Sequence, residues 1–133
     1  MIVCSSVALT NYLSDLSDSS LSLDICGFQW YWAFDTWSIN LHSHDFISVG
    51  SIRLLDTSHT ILFNSFTCYT IYLSSIDVIH SLSFPILGVK LDAIPGRLSV
   101  GSILCYFDGI FYGHCTELCG SLHGFMPFRL LVI

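Results

Sequence analysis

Charge is scarce in this chain: Asp, Glu, Lys and Arg make up only 11% of its 133 residues, while 53% are hydrophobic. About a quarter of the residues of an ordinary soluble domain are charged. The composition therefore indicates either a domain whose surface is covered by partner proteins or an aromatic-rich β domain. Ten acidic residues against four basic ones give a formal net charge of −6, which argues against a nucleic-acid partner and suits a basic one.

Long hydrophobic runs are also lacking. No uninterrupted run reaches the roughly 18 residues of a membrane-spanning helix, so the sequence predicts none. The N-terminal segment has neither the Arg-rich, acid-poor character of a mitochondrial transit peptide nor the basic region of a secretory signal. Its second half is rich in Ser and Asp. We therefore expect residues 1–24 to be an arm or linker and residues 25–133 to be one domain.

Sustained helical periodicity is absent as well, and β-rich runs follow one another from Ile25 onward. In CGFQWYWAFD, large aromatic residues occupy every second position from Phe28 to Phe34, which is the period of a strand. Turns are predicted between the runs, as at Pro95-Gly96 and Asp108-Gly109. Many short strands at regular spacing predict a β-sandwich or Greek-key barrel.

The rarest residue types are concentrated in one stretch, HCTELCGSLHGFMP. It contains the only glutamate, Glu117, and the only methionine after the first residue, Met126, together with two cysteines and two histidines. Thiolates and thioethers are soft ligands that favour copper. A mononuclear blue-copper loop needs one Cys, one His and a weak axial Met, and this loop has one Cys more. Two thiolates could therefore bridge two copper ions, each completed by one His.

Other chemistry fits the same stretch. A Cys2His2 zinc site could use Cys115, Cys119, His123 and either His80 or His114. A disulfide between Cys115 and Cys119 is a further alternative. The remaining cysteines are scattered in apolar surroundings and are predicted to be small buried hydrophobic residues.

Three segments together resemble the cytochrome c oxidase subunit 2 family. They are GFQWYWAF, DVIHSLSFPILGVKLDAIPGR and YGHCTELCGSLHGFMP, in the order and approximate spacing of the family. The resemblance covers about residues 25–133. It implies an all-β, cupredoxin-like Greek-key β-sandwich or barrel with a dinuclear copper centre, CuA. Its implied function is that of a respiratory oxidase subunit, which accepts electrons from cytochrome c and passes them to the haem of the catalytic subunit.

The resemblance also implies the ligand set. The copper ligands would be His80, Cys115, Glu117 through its backbone carbonyl, Cys119, His123 and Met126. The two histidines would be terminal ligands, the two thiolates would bridge, and the thioether would be a weak axial ligand. The carboxylate of Glu117 would face a magnesium ion shared with the catalytic subunit, because a hard cation suits an oxygen ligand. Quinol-using relatives lack the copper ligands, so the full set indicates the cytochrome c branch.

Partners follow from the same resemblance. Trp30 would receive the electron from cytochrome c, and Asp35 and Asp77 would lie on the face that docks this basic protein. The family normally begins with two transmembrane helices, so we expect a split subunit whose membrane hairpin is a separate polypeptide. Subunit 1, the catalytic subunit, would be the other partner. The expected location is the mitochondrial inner membrane, with the domain on the intermembrane-space side.

Two other functions stay open at this point. The chain could be the copper electron-transfer domain of another oxidoreductase, such as nitrous oxide reductase, although QWYW and DAIPGR argue against it. It could also be a structural subunit without copper, although the complete set of donor residues argues against that.

Overall fold

The computed structural model of the chain describes residues 21–34, the backbone of 39–41, residues 52, 54, 55 and 57, and residues 59–133. Within these ranges it consists of ten β-strands and two short 3-10 helices, Pro85–Leu87 and His123–Phe125. The strands are β1 (Leu21–Phe28), β2 (Tyr31–Phe34), β3 (Ile39–Leu41), β4 (Ile61–Phe63), β5 (Cys68–Ser75), β6 (His80–Phe84), β7 (Val89–Ala93), β8 (Ser99–Leu104), β9 (Gly109–Cys115) and β10 (Pro127–Val132). No helix in this part of the chain is long and apolar enough to cross a membrane.

The strands form two five-stranded sheets. The first has the order β3-β2-β1-β5-β8 and the second has the order β4-β10-β9-β6-β7. Neighbouring strands are antiparallel except for the parallel pairs β1–β5 and β4–β10. The predicted all-β architecture is therefore confirmed.

One hydrophobic core lies between the two sheets. Phe34 of the first sheet packs against Phe128 of the second, with ring centroids 4.7 Å apart, and Phe84 meets Phe128 edge to face at 5.1 Å. Burying one such side chain stabilises the fold by about 1.5–3 kcal/mol. Inward and outward residues alternate along β1 and β10, as expected for strands with one face in the core.

The aromatic run is a hairpin rather than the single strand that its period of two predicts. β1 ends at Phe28, Gln29 and Trp30 form a turn, and β2 begins at Tyr31. Phe28 pairs with Tyr31 across the hairpin, and their rings stack at 4.8 Å. Across the two-residue turn, the buried positions change from odd numbers in β1 to even numbers in β2. Trp32 is therefore buried, while Phe28 lies on the outer face with Tyr31. The alternation of residue types continues through the turn and hides the reversal.

The first strand begins before the predicted start of the domain at residue 25. β1 begins at Leu21, so residues 21–24, which the sequence assigned to the arm, belong to the first sheet. Leu23 is buried in the core and pairs with Ile71 of β5. Residues 1–20 lie outside the described part of the chain.

Three connections meet at one end of the sandwich, which we call the metal pole. They are the β1–β2 turn, the β5–β6 connection of residues 76–79 and the β9–β10 connection of residues 116–126. Backbone hydrogen bonds tie them to the strands, from Ile76 N–H to the Gly27 carbonyl at 3.2 Å and from Thr116 N–H to the Ser81 carbonyl at 2.9 Å. The pole thus contains loops from both sheets, brought together by the packing of the core.

Close packing of the core gives a first prediction. A Cβ on Gly113 of β9 would lie 2.7 Å from a ring carbon of Phe84 and 2.8 Å from the backbone oxygen of Ser83. We expect Gly113→Ala to lower the free energy of unfolding by about 1–3 kcal/mol, because overpacking forces neighbouring groups to move. Urea unfolding of the metal-free chain measures this. Gly124→Ala is the matched control, since its Cβ would meet nothing within 4 Å; equal midpoints for the two variants would contradict the packing described.

Candidate metal centre

Two thiols and two imidazoles converge at the metal pole. The Sγ atoms of Cys115, the last residue of β9, and Cys119 lie 3.9 Å apart. His80, the first residue of β6, places Nδ1 4.0 Å from the Cys115 sulfur, and His123 places Nδ1 3.5 Å from the Cys119 sulfur. Each thiol therefore has one imidazole beside it.

Each thiol also has a second, weaker donor as a neighbour. The Met126 thioether sulfur lies 3.5 Å from the Cys119 sulfur, and the Glu117 backbone oxygen lies 3.3 Å from the Cys115 sulfur. The side chain of Met126 is almost fully buried, whereas Glu117 is exposed. The structure thus brings together all six of the ligands predicted for copper.

The sequence around His80 explains its burial. All five residues of β6 are buried, and His80 itself is 0% exposed. Space for its ring comes from Gly27 of β1, where an added Cβ would lie 2.9 Å from the His80 ring. Trp32 covers the ring at 5.8 Å between centroids. A hydrogen-bonding imidazole in such an apolar setting needs partners for both ring nitrogens.

Asp77 provides one of these partners. Its Oδ1 lies 2.9 Å from His80 Nε2, which leaves Nδ1 directed at the thiols. The same carboxylate accepts hydrogen bonds from the backbone N–H groups of Gln29 and Val78, both at 2.6 Å. Desolvation alone would raise the pKa of Asp77, but the hydrogen bonds with His80, Val78 and Gln29 outweigh it and lower the pKa. A carboxylate behind a histidine is the usual support of a metal-binding imidazole.

The titratable ligands influence one another. Burial would lower the pKa of His80, but its hydrogen bonds with Cys115 and Asp77 outweigh burial and raise the pKa. Burial likewise opposes ionisation of Cys115, yet the hydrogen bond with His80 and those with the backbone at Ser81 and Glu117 lower its pKa to about 7. Cys119 behaves in the opposite way, because burial and the neighbouring Cys115 thiolate raise its pKa to about 12.

This donor set fits soft metal ions. Two sulfurs 3.9 Å apart can both bond a metal between them, since a thiolate–zinc bond is about 2.3 Å long. Thiolate, thioether and imidazole together favour copper over hard cations. A disulfide needs sulfurs about 2.05 Å apart, and both cysteines are free. His114 is not a member of the group formed by His80, Cys115 and Cys119, whose ligand atoms all lie within 4.8 Å of one another.

The other predicted site residues have different positions. Trp30 is half-buried at the β1–β2 turn, and its indole lies against Gly120, where an added Cβ would be 3.0 Å from the ring. The indole therefore contacts the loop one residue after Cys119. The side chain of Asp77 is 27% exposed and directed at His80. Asp35 lies outside the described residues.

Two residues that hold the β9–β10 connection of residues 116–126, which we call the metal loop, were not predicted from the sequence. Gln29 donates a side-chain hydrogen bond to the Cys119 carbonyl at 2.7 Å, and Trp32 donates from Nε1 to the Met126 carbonyl at 3.3 Å. One signal was present, because Gln29 is the only glutamine of the chain and interrupts an aromatic run. Its partner could not be found from the sequence, since it lies 90 residues away.

Comparison with known proteins gives a consistent result. The family described as cytochrome c oxidase subunit II, periplasmic domain, matches residues 21–133. The chain is 38% identical to cytochrome c oxidase subunit 2 of Rhipicephalus sanguineus over 126 residues, covering 90% of this chain and 56% of that protein. It is 40% identical to the subunit 2 of Leishmania tarentolae over 121 residues, covering 85% and 58%. The chain thus spans a little over half the length of these two relatives.

A solved structure supports the same relationship. The crystal structure of the periplasmic domain of subunit II of cytochrome oxidase from Bradyrhizobium japonicum superimposes with a TM-score of 0.77 and 32% sequence identity. The match covers 87% of this chain and 86% of the other. It confirms the predicted cupredoxin-like fold.

The unequal thiols give a second prediction, for the metal-free chain. We expect one thiolate to appear with a midpoint near pH 7, while Cys119, whose pKa is raised to about 12, stays protonated through that step. Because the pKa of Cys115 is lower in the folded than in the unfolded chain, its ionisation favours folding above the ordinary thiol pKa, and this contribution disappears as the pH falls through about 7.

The ultraviolet absorbance of the thiolate, followed against pH, measures this midpoint. The step should vanish in Cys115→Ser and persist in Cys119→Ser. The remaining described cysteines do not interfere, because burial raises the pKa of Cys26, Cys68 and Cys105. A step near pH 7 that survives in Cys115→Ser would show that the ionising thiol was wrongly assigned.

Proposed function

Because the chain belongs to the cytochrome c oxidase subunit II family, we propose that it holds a dinuclear copper centre and carries electrons within a respiratory terminal oxidase. It would accept them from cytochrome c and pass them to the haem of the catalytic subunit. The observation that carries the proposal is the pair of sulfurs 3.9 Å apart, each with its own imidazole. A family match over residues 21–133 argues against a copper domain from another class of oxidoreductase.

The proposed ligand roles follow the geometry. Cys115 and Cys119 would bridge the two metals, with His80 as the terminal ligand on one side and His123 on the other. Met126 lies on the Cys119 side and the Glu117 carbonyl on the Cys115 side, as suits weak ligands for different metals. When bound, the copper pair supplies reversible one-electron storage shared between two ions.

The chain contributes rigidity and exclusion of water. Four of the donors, those of His80, Cys115, Cys119 and Met126, are almost fully buried. The Asp77 carboxylate fixes the tautomer and orientation of His80 through the bond at 2.9 Å. A site whose ligands are held by strands and hydrogen bonds changes little when an electron is gained or lost, so transfer is fast.

Trp30 is the proposed point at which electrons arrive. Its indole packs on Gly120, next to the ligand Cys119, so it links the outside of the metal pole to the metal loop. Apolar side chains are exposed on the loops of the pole: Ile76, Ile79, Leu118 and Phe125. Together with the net negative charge they suit a basic partner with an apolar contact patch. Docking roles for Asp35 and Asp77 stay predictions, and the contact of Asp77 with His80 gives that residue a second task.

A magnesium ion is also proposed, at the interface between this chain and the catalytic subunit. The backbone oxygen of Glu117 is directed at the Cys115 sulfur while the residue itself is exposed, so its carboxylate is available to a different metal. An exposed carboxylate beside a partner subunit suits a hard cation. The carbonyl and the carboxylate of this one residue would then serve copper and magnesium respectively.

The place of the chain in the cell is proposed from the family alone. Catalytic subunit 1 is the expected direct partner, and the mitochondrial inner membrane is the expected location, with the domain on the intermembrane-space side. A separate polypeptide carrying the membrane hairpin stays a prediction.

Copper binding gives the third prediction. The chain loaded with copper under reducing conditions should hold two copper ions. The two thiolates would be shared by both ions, and each ion would have one imidazole of its own. Elemental analysis after removal of loosely bound metal measures the ratio. His80→Ala should reduce the copper content, whereas His114→Ala, a histidine outside the cluster, should retain both ions. One metal ion per chain, or a preference for zinc over copper, would contradict the proposal.

Electron transfer gives the fourth prediction. We expect Trp30→Phe to slow reduction of the copper-loaded chain by cytochrome c, because the phenyl ring lacks the indole atoms that lie against Gly120. Its affinity for cytochrome c and its copper content should stay unchanged. Stopped-flow reduction at several ionic strengths separates docking from transfer, since the Debye length falls from about 10 Å at 0.1 M to about 3 Å at 1 M. Tyr31→Phe, in the same hairpin, is the control; equal transfer rates in both variants would remove Trp30 from the route.

A further inference from the structure

The β1–β2 hairpin reaches across the metal pole and holds the metal loop at two points. Gln29 Nε2 donates to the backbone oxygen of Cys119 at 2.7 Å. Trp32 Nε1 donates to the backbone oxygen of Met126 at 3.3 Å. The hairpin belongs to the first sheet, whereas the loop joins β9 and β10 of the second sheet. These two bonds therefore connect the two layers of the sandwich at the metal site.

The two carbonyls belong to the two ligands that share one side of the site. The sulfurs of Cys119 and Met126 lie 3.5 Å apart, and His123 lies between these residues in the chain. The backbone hydrogen bonds inside this segment are local, from His123 to Gly120 at 3.2 Å and from Phe125 to Leu122 at 2.9 Å. Local bonds shape a turn but do not fix its distance from the rest of the protein. The hydrogen bonds from Gln29 and Trp32 of the hairpin fix that distance.

Gln29 is also bonded to the other side of the site. Its backbone N–H donates to Asp77 Oδ2 at 2.6 Å, and Asp77 Oδ1 meets His80 Nε2 at 2.9 Å. One residue of the turn thus connects the support of His80 with the backbone of Cys119.

The neighbouring backbone leaves room for this contact. Gly120 has a φ of +125°, and a Cβ at that position would lie 3.1 Å from Gln29 Nε2. A side chain other than glycine would press on the amide group that holds the loop. The close approach and the hydrogen bond therefore depend on the same glycine.

We propose that Gln29 is a positioning residue, whose side-chain amide holds the Cys119–Met126 side of the metal site in register with the His80 side. This inference rests on the proposed function, since the site positioned is the copper site. Residues that orient ligands typically change metal affinity by about 10–100-fold when they are replaced. The weak axial ligand and the hydrogen bonding around the Cys sulfur also tune a copper centre. Loosening the Cys119 backbone should therefore change both copper retention and the copper spectrum.

Two substitutions of Gln29 test the proposal in the full chain. Gln29→Met keeps the length of the side chain and removes the donor. Gln29→Glu keeps its shape and places a carboxylate against the Cys119 carbonyl. Since Gln29 is exposed, neither change opens a cavity in the core. Ser121→Ala, an exposed position on the same loop, is the control for a surface change.

Copper release to an excess of chelator is the first readout. We expect release about tenfold faster in Gln29→Met than in the unsubstituted chain, faster still in Gln29→Glu, and unchanged in Ser121→Ala. The thiolate-to-copper absorption bands should shift in both Gln29 variants. A residue with a merely structural role would lower the denaturant midpoint of the metal-free chain and leave the bands and the release rate per folded molecule unchanged, and that result would overturn the proposal.

Hydrogen–deuterium exchange of the metal-free chain is the second readout, and it does not depend on copper. Amides of residues 117–123 should exchange between about 2 and 10 times faster in both Gln29 variants, as expected for one lost hydrogen bond. Unchanged exchange would overturn the proposal even if copper binds as expected. Conversely, faster exchange in a chain that fails to bind two copper ions would refute the proposed function and leave the positioning role of Gln29 intact.

Discussion

The sulfurs of Cys115 and Cys119 lie 3.9 Å apart in the interior of the sandwich, and the neighbouring groups are arranged around that contact. Hydrogen bonds with His80 and with the backbone at Ser81 and Glu117 lower the pKa of Cys115 to about 7 against the effect of burial. Burial and the neighbouring Cys115 thiolate raise the pKa of Cys119 to about 12, so the two thiols do not ionise together. A bound cation removes this conflict because it stabilises both thiolates. Binding of a soft cation between the two sulfurs would therefore favour loss of the proton from Cys119.

The pair of thiols lies at the end of the sandwich where residues from both sheets surround it. Cys115 ends β9 and His80 begins β6, both strands of the second sheet, and the other predicted ligands lie in the connection between β9 and β10 of that sheet. The first sheet contributes the β1–β2 hairpin, whose Gln29 and Trp32 hold the loop from the opposite side. Shared burial between the layers therefore does more than stabilise the domain, because it fixes the distances between ligands from segments far apart in the chain.

Much of this could be predicted from the sequence, for identifiable reasons. Soft donors concentrated in one stretch indicated a copper site, and the three matching segments indicated the six ligands, all of which the structure brings together. The hairpin in the aromatic run was missed because residue alternation continues across a two-residue turn, although the inward face changes parity. The Gln29 contact could not be predicted, because a bond across 90 residues depends on the packing of the two sheets. The role of Asp77 beside His80 was missed because an acidic residue near a docking face also fits a surface charge.

Electron paramagnetic resonance of the copper-loaded chain tests most directly whether the two thiols hold two copper ions. Because one imidazole lies beside each of the two thiols, the unpaired electron of the proposed oxidised centre should be shared between two metals in nearly equal surroundings. The expected result is hyperfine splitting by two equivalent copper nuclei. Splitting by a single copper nucleus would contradict it.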